Sequence, residues 1–180
     1  MPDLIRLREI ERGDLPQINA WRNDKEVVDF LGSNFLFIAE AVDEQWYDSY
    51  LNSRDRNIRL AIVANADDAY IGNVQLTAIH PVNRSAEFSI FIGDKRYWSH
   101  GYGREATLKM LRHGFGDLNL NRIHLTVLEG NERAIRLYQS AGFKVEGRLA
   151  QAVFKNGSYQ DLIAMAALRK DFVHEPPQAG

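Results

Sequence analysis

Two hydrophobic rhythms run along this chain, one of period two and one of period three to four. Residues 4–8, Leu-Ile-Arg-Leu-Arg, alternate and predict a first strand. Asp14 then precedes Leu15, Ile18 and Trp21, a spacing that predicts a capped helix with Pro16 tolerated in its first turn. A second helical stretch is expected from Lys25 to Phe30. Leu31–Ala41 is apolar without a clean period and reads as a loop, after which Val42, Trp46, Tyr50 and Leu51 restore helical spacing. Two strands follow, Ile58–Val63 and Tyr70–Leu76, on either side of a turn at Ala66–Asp68. In the next strand Ala86, Phe88, Ile90 and Ile92 take one face while Glu87, Ser89 and Phe91 take the other.

The second half alternates helix and strand. A helix from Gly103 to Phe115 is expected to bury Leu108, Leu111 and Phe115. Strand Ile123–Leu128, helix Asn131–Ala141 and a short strand Phe143–Val145 come next. Asn156-Gly157, between Val153–Lys155 and Tyr159–Met165, predicts a closing hairpin. Helices, an antiparallel meander, two crossovers and a hairpin imply an α+β class, with a mixed sheet covered by helices on both faces. At 180 residues a single domain is expected over 1–174, with 175–180 as a frayed tail.

Composition narrows the chemistry. There is no Cys, which removes thiol nucleophiles, disulfides and Cys-based zinc sites. The net charge of −2 gives no bulk attraction for nucleic acid. No run of about 18 apolar residues predicts a membrane span. The N-terminus lacks a secretion-signal pattern, so cytoplasmic residence is the default expectation. The histidines His80, His100, His113 and His124 show no metal-ligand spacing, and no metal is expected.

Three features could carry chemistry. Trp98-Ser99-His100-Gly101-Tyr102-Gly103-Arg104 opens a helix, and its backbone N–H groups with the helix dipole suit a pyrophosphate. Gly101 and Gly103 would let main chain approach a ligand closely, with Lys95, Arg96, His100 and Arg104 adding positive charge. The bland alternative is a loop that uses glycine only to turn. Ala134, Leu137, Tyr138 and Ala141 fall on one helical stripe. Tyr138 is therefore either a core tyrosine bonded to a carbonyl or a cleft phenol able to protonate a leaving thiolate. Glu87 is either a solvated strand carboxylate or a general base, and Asn131 either a helix cap or a ligand-contacting amide.

Taken in this order, the segments resemble the GNAT superfamily of acyl-CoA-dependent N-acetyltransferases, in particular its ribosomal-protein-alanine and spermidine N-acetyltransferase branch. The likeness covers nearly the whole chain and is strongest from Ile71 to Met165. The family's Gln/Arg-x-x-Gly-x-Gly/Ala loop corresponds to Trp98-Ser-His-Gly101-Tyr-Gly103, which departs at its first position. Asn-x-x-Ala-x-x-x-Tyr-x-x-x-Gly-Phe is matched at Asn131, Ala134, Tyr138, Gly142 and Phe143.

The resemblance implies a sheet splayed at its centre and acetyl-CoA as the cofactor. Phe88, Ser89, Ile90 and Phe91 would form the edge that takes pantetheine, residues 98–104 would hold phosphate, and Asn131 and Ala134 would touch the cofactor. It implies Tyr138 as general acid and Glu87 as the base that deprotonates an acceptor amine, with no covalent enzyme intermediate. Trp21, Arg22, Asn23, Phe35 and Trp46 would line the acceptor side. Leu31–Ile38 contains no acidic residue, so a polycation is poorly served. A peptide N-terminus or an amino-sugar nucleotide is therefore favoured, with a polyamine third. Two rival readings remain: a non-catalytic acyl-CoA-binding or sensing domain, and a structural partner-binding protein. The exposed strand edge would also support a homodimer.

Overall fold

The structure, a computed structural model, describes residues 3–172; the predicted tail at 175–180 lies outside them. Seven strands form one sheet in the order β1-β2-β3-β4-β5-β7-β6. They are β1 (Ile5–Glu9), β2 (Ile58–Ala64), β3 (Tyr70–His80), β4 (Ser85–Ile92), β5 (Arg122–Leu128), β6 (Lys144–Lys155) and β7 (Ser158–Leu168). Every pair is antiparallel except β4 with β5. That parallel step needs a crossover, supplied by α4 (Tyr102–Arg112) and a wide turn at His113–Asp117.

Helices cover both faces. On one side α1 (Leu15–Arg22) and α3 (Glu40–Leu51) bring Ile18, Tyr47 and Tyr50 onto Ala61, with the short α2 (Lys25–Asp29) following α1. On the other, α4 and α5 (Glu132–Ser140) close the larger core around Ile62, Leu76, Phe88, Met110 and Phe115. The alternation read from β4 holds, because Ala86 and Phe88 are buried against α4 and α5 while Glu87 is exposed on the opposite face.

Three expectations change. The strand predicted at Phe143–Val145 is the start of the twelve-residue β6, which continues into the hairpin at Asn156-Gly157. Its register slips between Val145 and Gly147 and again between Leu149 and Val153. An exposed edge strand has no buried face to impose alternation, so nothing in its side chains marked it. β3 likewise runs on to His80 past a residue of positive φ, Ala78. Finally, α4 ends at Arg112, and Phe115 reaches the core from the wide turn; Met110 is fully buried where Leu108 was expected.

Candidate active site

β4 and β5 are paired only at Ser85 with Arg122, Ala86 with Ile123, and Glu87 with His124. Beyond Glu87 the two strands part. β5 stays bonded to β7 as far as Leu128, while Phe88 to Ile92 of β4 keep only their β3 partners. The backbone of Phe88, Ser89, Ile90 and Phe91 thus presents an unpaired edge inside the sheet, a place where an extended ligand can add main-chain hydrogen bonds. An aromatic triangle sits at the base of the split. Phe88 lies 6.1 Å from Tyr138 and 5.7 Å from Phe143, with Tyr138 and Phe143 5.7 Å apart.

Tyr138 is 9% exposed, and its hydroxyl has no hydrogen-bond partner among the described residues. Burial alone pushes the phenol up to about 12, so it stays protonated through the neutral range. The carbonyl bond that the core-tyrosine alternative called for is not made among the described residues. Glu87 stands on the other face of β4, at the last paired position, exposed and without an ion pair or hydrogen bond among the described residues. Its register neighbour His124 is partly buried, with an Nδ1 that has no hydrogen-bond partner among the described residues.

At the mouth of the split, residues 98–101 lead into α4. Ser99 has φ of 67° and Gly101, the residue before the helix, φ of 89°. A side chain at position 101 would be strained by this left-handed backbone, which turns successive N–H groups toward one side. The N–H of Glu105 is the first to bond within the helix, to the Gly101 carbonyl, leaving those of Tyr102, Gly103 and Arg104 for a ligand. Gly103 also has a packing role within the chain. A Cβ there would stand 3.3 Å from Leu137 Cδ1, so its smallness lets α4 lie close to α5.

The charge around the loop also differs from expectation. Lys95 is paired with Asp24 and Glu26, and Arg96 with Asp94, so neither offers a free cation. Among the described residues the Arg104 side chain bonds only the Ser140 hydroxyl, at 3.3 Å. Arg133, passed over in the sequence, lies 5.3 Å from the Trp98 ring and 5.4 Å from Phe30, with Nη1 3.4 Å from Ser99 Oγ. Trp98 in turn donates its indole N–H to the Ile92 carbonyl at 2.7 Å, tying the loop to the end of β4. The only signal for Arg133 was a basic residue in the first turn of α5.

Asn131 is the N-cap of α5. Its Oδ1 accepts from the Ala134 N–H at 3.1 Å, and its Nδ2 donates to the Phe30 carbonyl at 3.1 Å. The amide keeps a second N–H and a second Oδ1 lone pair for a ligand contact. Ala134, in the first turn of α5, is half-buried.

The five residues expected on the acceptor side have separate surroundings. Trp21 is buried against Tyr70 at 4.9 Å and Phe91 at 5.9 Å; a Cβ on Gly93 would overlap its ring at 2.0 Å. It seats α1 on β4. Arg22 pairs with Asp43, a fully buried carboxylate that also accepts from Asn19 at 2.7 Å. Asn23 accepts from the Ile38 N–H and donates to the Ile38 carbonyl, both at 2.9 Å, clamping the loop before α3. Phe35 lies 5.2 Å from Phe37 and lines a shallow cavity of about 340 Å³ with Asp29, Asn34, Leu36, Phe154, Lys155 and Asn156. Trp46 lies under the Arg59 guanidinium at 5.1 Å. Lys155 is 5% exposed and donates to the carbonyls of Val28 and Ser33; burial pushes its ammonium pKa down.

Comparison with known proteins places this geometry. The family described as Acetyltransferase (GNAT) domain matches residues 5–144. The chain is 33% identical over 176 residues to the spermidine N(1)-acetyltransferase of Vibrio cholerae, covering 97% of this chain and 98% of that protein. It is 30% identical over 177 residues to the spermidine N(1)-acetyltransferase of Escherichia coli, covering 98% of this chain and 92% of that one. A crystal structure of the Vibrio cholerae spermidine N-acetyltransferase in complex with CoA and spermine superposes with a TM-score of 0.89 at 30% identity. The match covers 95% of this chain and 99% of that one.

Proposed function

The chain belongs to the acetyltransferase (GNAT) family and is an acetyl-CoA-dependent N-acetyltransferase, and from that premise we propose a direct transfer with Glu87 as base and Tyr138 as acid. The observation that carries the proposal is the parting of β4 from β5 immediately after Glu87, with Tyr138 beside the first unpaired residue. Base and acid then flank the same stretch of edge backbone from opposite faces. Amine arrives on one side and thiolate leaves on the other.

The residues divide the work as follows. The N–H groups at the start of α4, with Arg104 and Arg133, hold the phosphates, and the edge of Phe88–Phe91 receives the pantetheine arm. When bound, acetyl-CoA supplies an acyl carbon activated as a thioester. Glu87, directly or through a water, removes a proton from the acceptor ammonium so that nitrogen has a lone pair to attack with. An N–H of the unpaired edge is placed to donate to the carbonyl oxygen as charge builds there. As the C–S bond breaks, the nitrogen releases its second proton to solvent, Tyr138 gives its proton to sulfur, and solvent reprotonates the phenol. The new bond is the N–C amide bond, and free thiol is the leaving product.

The acceptor has two readings. The spermidine-acetylating relatives support a polyamine. The acceptor-side charge supports an amine on a less cationic molecule, a peptide N-terminus or an amino-sugar nucleotide. Leu31–Ile38 holds no acidic residue, Asp43 is committed to Arg22, and Lys155 adds a buried cation beside the Phe35 cavity. The test is thiol release from acetyl-CoA with spermidine, short peptides, amino acids and amino-sugar nucleotides as acceptors. Release with any amine supports the transferase and ranks the acceptors. Tight acetyl-CoA binding with no release from every amine would instead favour a cofactor-binding sensor.

A further inference from the structure

Arg59 is a half-buried cation with no counter-ion among the described residues. It lies on β2, on the sheet face shared with Glu87, and is stacked 5.1 Å from Trp46 and 5.8 Å from Tyr50 of α3. Its Nη1 donates to Gln75 Oε1 on β3, and Gln75 Nε2 donates to Ser89 Oγ on β4 at 2.6 Å. Nε is buried without a partner, and Nη2 makes no hydrogen bond among the described residues. The nearby carboxylates are committed elsewhere: Asp43 to Arg22, and Glu9 to Arg54 at 2.6 Å. Arg22 is close enough for its charge to act on Arg59, and burial pushes the Arg59 guanidinium below its ordinary range.

Desolvating a cation costs free energy that a neutral amide partner offsets only in part. A purely structural tie between β2 and β3 would be served as well by an uncharged side chain, or by a carboxylate at position 75. What stands here is a guanidinium held rigid by two aromatic rings, with donor capacity left over. The geometry also connects it to the chemistry. Arg59, Gln75 and Ser89 are successive register partners across three strands, and Ser89 is two residues from Glu87 on one face of β4. Two strand spacings across and one two-residue step along put Arg59 and Glu87 about 12 Å apart at Cα.

We propose that Arg59 is an acceptor-recognition residue, and that the amine acetylated by this enzyme is carried on a molecule with a carboxylate or phosphate that Arg59 binds while the amine lies at Glu87. The proposal rests on the transfer reading above and narrows its acceptor. Charge-assisted, bidentate contact is what a guanidinium adds over an amide, and both anions accept it. The second ammonium of a diamine in the same place would meet a like charge instead.

The test uses the whole protein, acetyl-CoA and a ladder of ω-amino carboxylates and ω-amino phosphonates, against amino alcohols and diamines of matching length. Thiol release is measured for the unmodified protein, Arg59→Met and Arg59→Lys. In the unmodified protein kcat/KM should favour the anionic acceptors over the amino alcohols by about tenfold or more. Arg59→Met should abolish that ratio, and Arg59→Lys should retain part of it. The carboxylate and phosphonate arms then tell which anion is natural. Should Arg59→Met fail to fold, simple alkyl carboxylates and phosphonates lacking the amine provide the second measurement: they should inhibit competitively against the amine and not against acetyl-CoA.

Diamines outrunning every anionic acceptor, an unchanged ratio in a folded Arg59→Met, or no such inhibition would each overturn the role of Arg59 and leave the transferase standing. No release with any amine would overturn both.

Discussion

Replacing Tyr138 with Phe separates the catalytic reading of this residue from the structural one. The ring stays, with its contacts to Phe88 and Phe143, and only a hydroxyl without a hydrogen-bond partner is lost. A bonded core hydroxyl would cost about 1–2 kcal/mol on removal, whereas one without a partner among the described residues takes no bond with it and its removal is about neutral. Tm should therefore hold, since about 1 kcal/mol moves a domain of this size by about 2–4 °C. Loss of a general acid should lower kcat about 10²- to 10⁴-fold, or about 2.7–5.4 kcal/mol, with acetyl-CoA affinity retained.

The phenol at about 12 is a weak acid for an ordinary thiolate, but the burial that raises it also raises a thiolate expelled into the same cleft. The fold holds this group neutral above its ordinary value of 10.0, so its contribution to stability is complete below pH 10. That contribution is lost as pH climbs toward 12, and Tyr138→Phe should remove this part of the alkaline decline. Thiol release across pH, isothermal titration with acetyl-CoA and thermal melts at pH 7 and above 10 measure all of this. Undiminished kcat, or a Tm drop of several degrees, would refute the argument.

Other perturbations follow from the same geometry. Glu87→Gln should reduce turnover most at neutral pH and progressively less as the acceptor amine loses its proton unaided. A pH-independent loss in the rate profile would remove Glu87 as base. Asn131→Ala breaks the α5 cap and the tie to Phe30, and melts should show a loss of about 0.5–2 kcal/mol; an unchanged Tm would mean that water replaces both bonds. Gly101→Ala puts a Cβ on a residue at φ of 89°, costing about 1–2 kcal/mol of backbone strain. Titration should show weaker acetyl-CoA binding through the displaced α4 N–H groups, whereas unaltered affinity would show that the loop tolerates the change.

Local pattern determined a large part of this protein. Period two placed Ala86 and Phe88 inward and Glu87 outward, and period three to four placed Tyr138 on the buried stripe of α5. Gly101 and Gly103 marked the loop that opens α4. Each of these depends on neighbours a few residues away, and backbone sterics translate such spacing directly into faces and turns.

What the tertiary structure alone decided depends on partners far apart in the chain. The parting of β4 and β5 is a matter of register between strands joined by a long crossover, and no side-chain period encodes where pairing stops. Whether a charge is free is equally non-local. Lys95 is consumed by Asp24 and Glu26, whereas Arg59 meets Gln75, Trp46 and Tyr50 and no carboxylate among the described residues. In the sequence these are two basic residues among many. Coulomb attraction and desolvation depend on distance in space, so only the folded chain tells a neutralised surface lysine from a half-buried guanidinium without a counter-ion among the described residues.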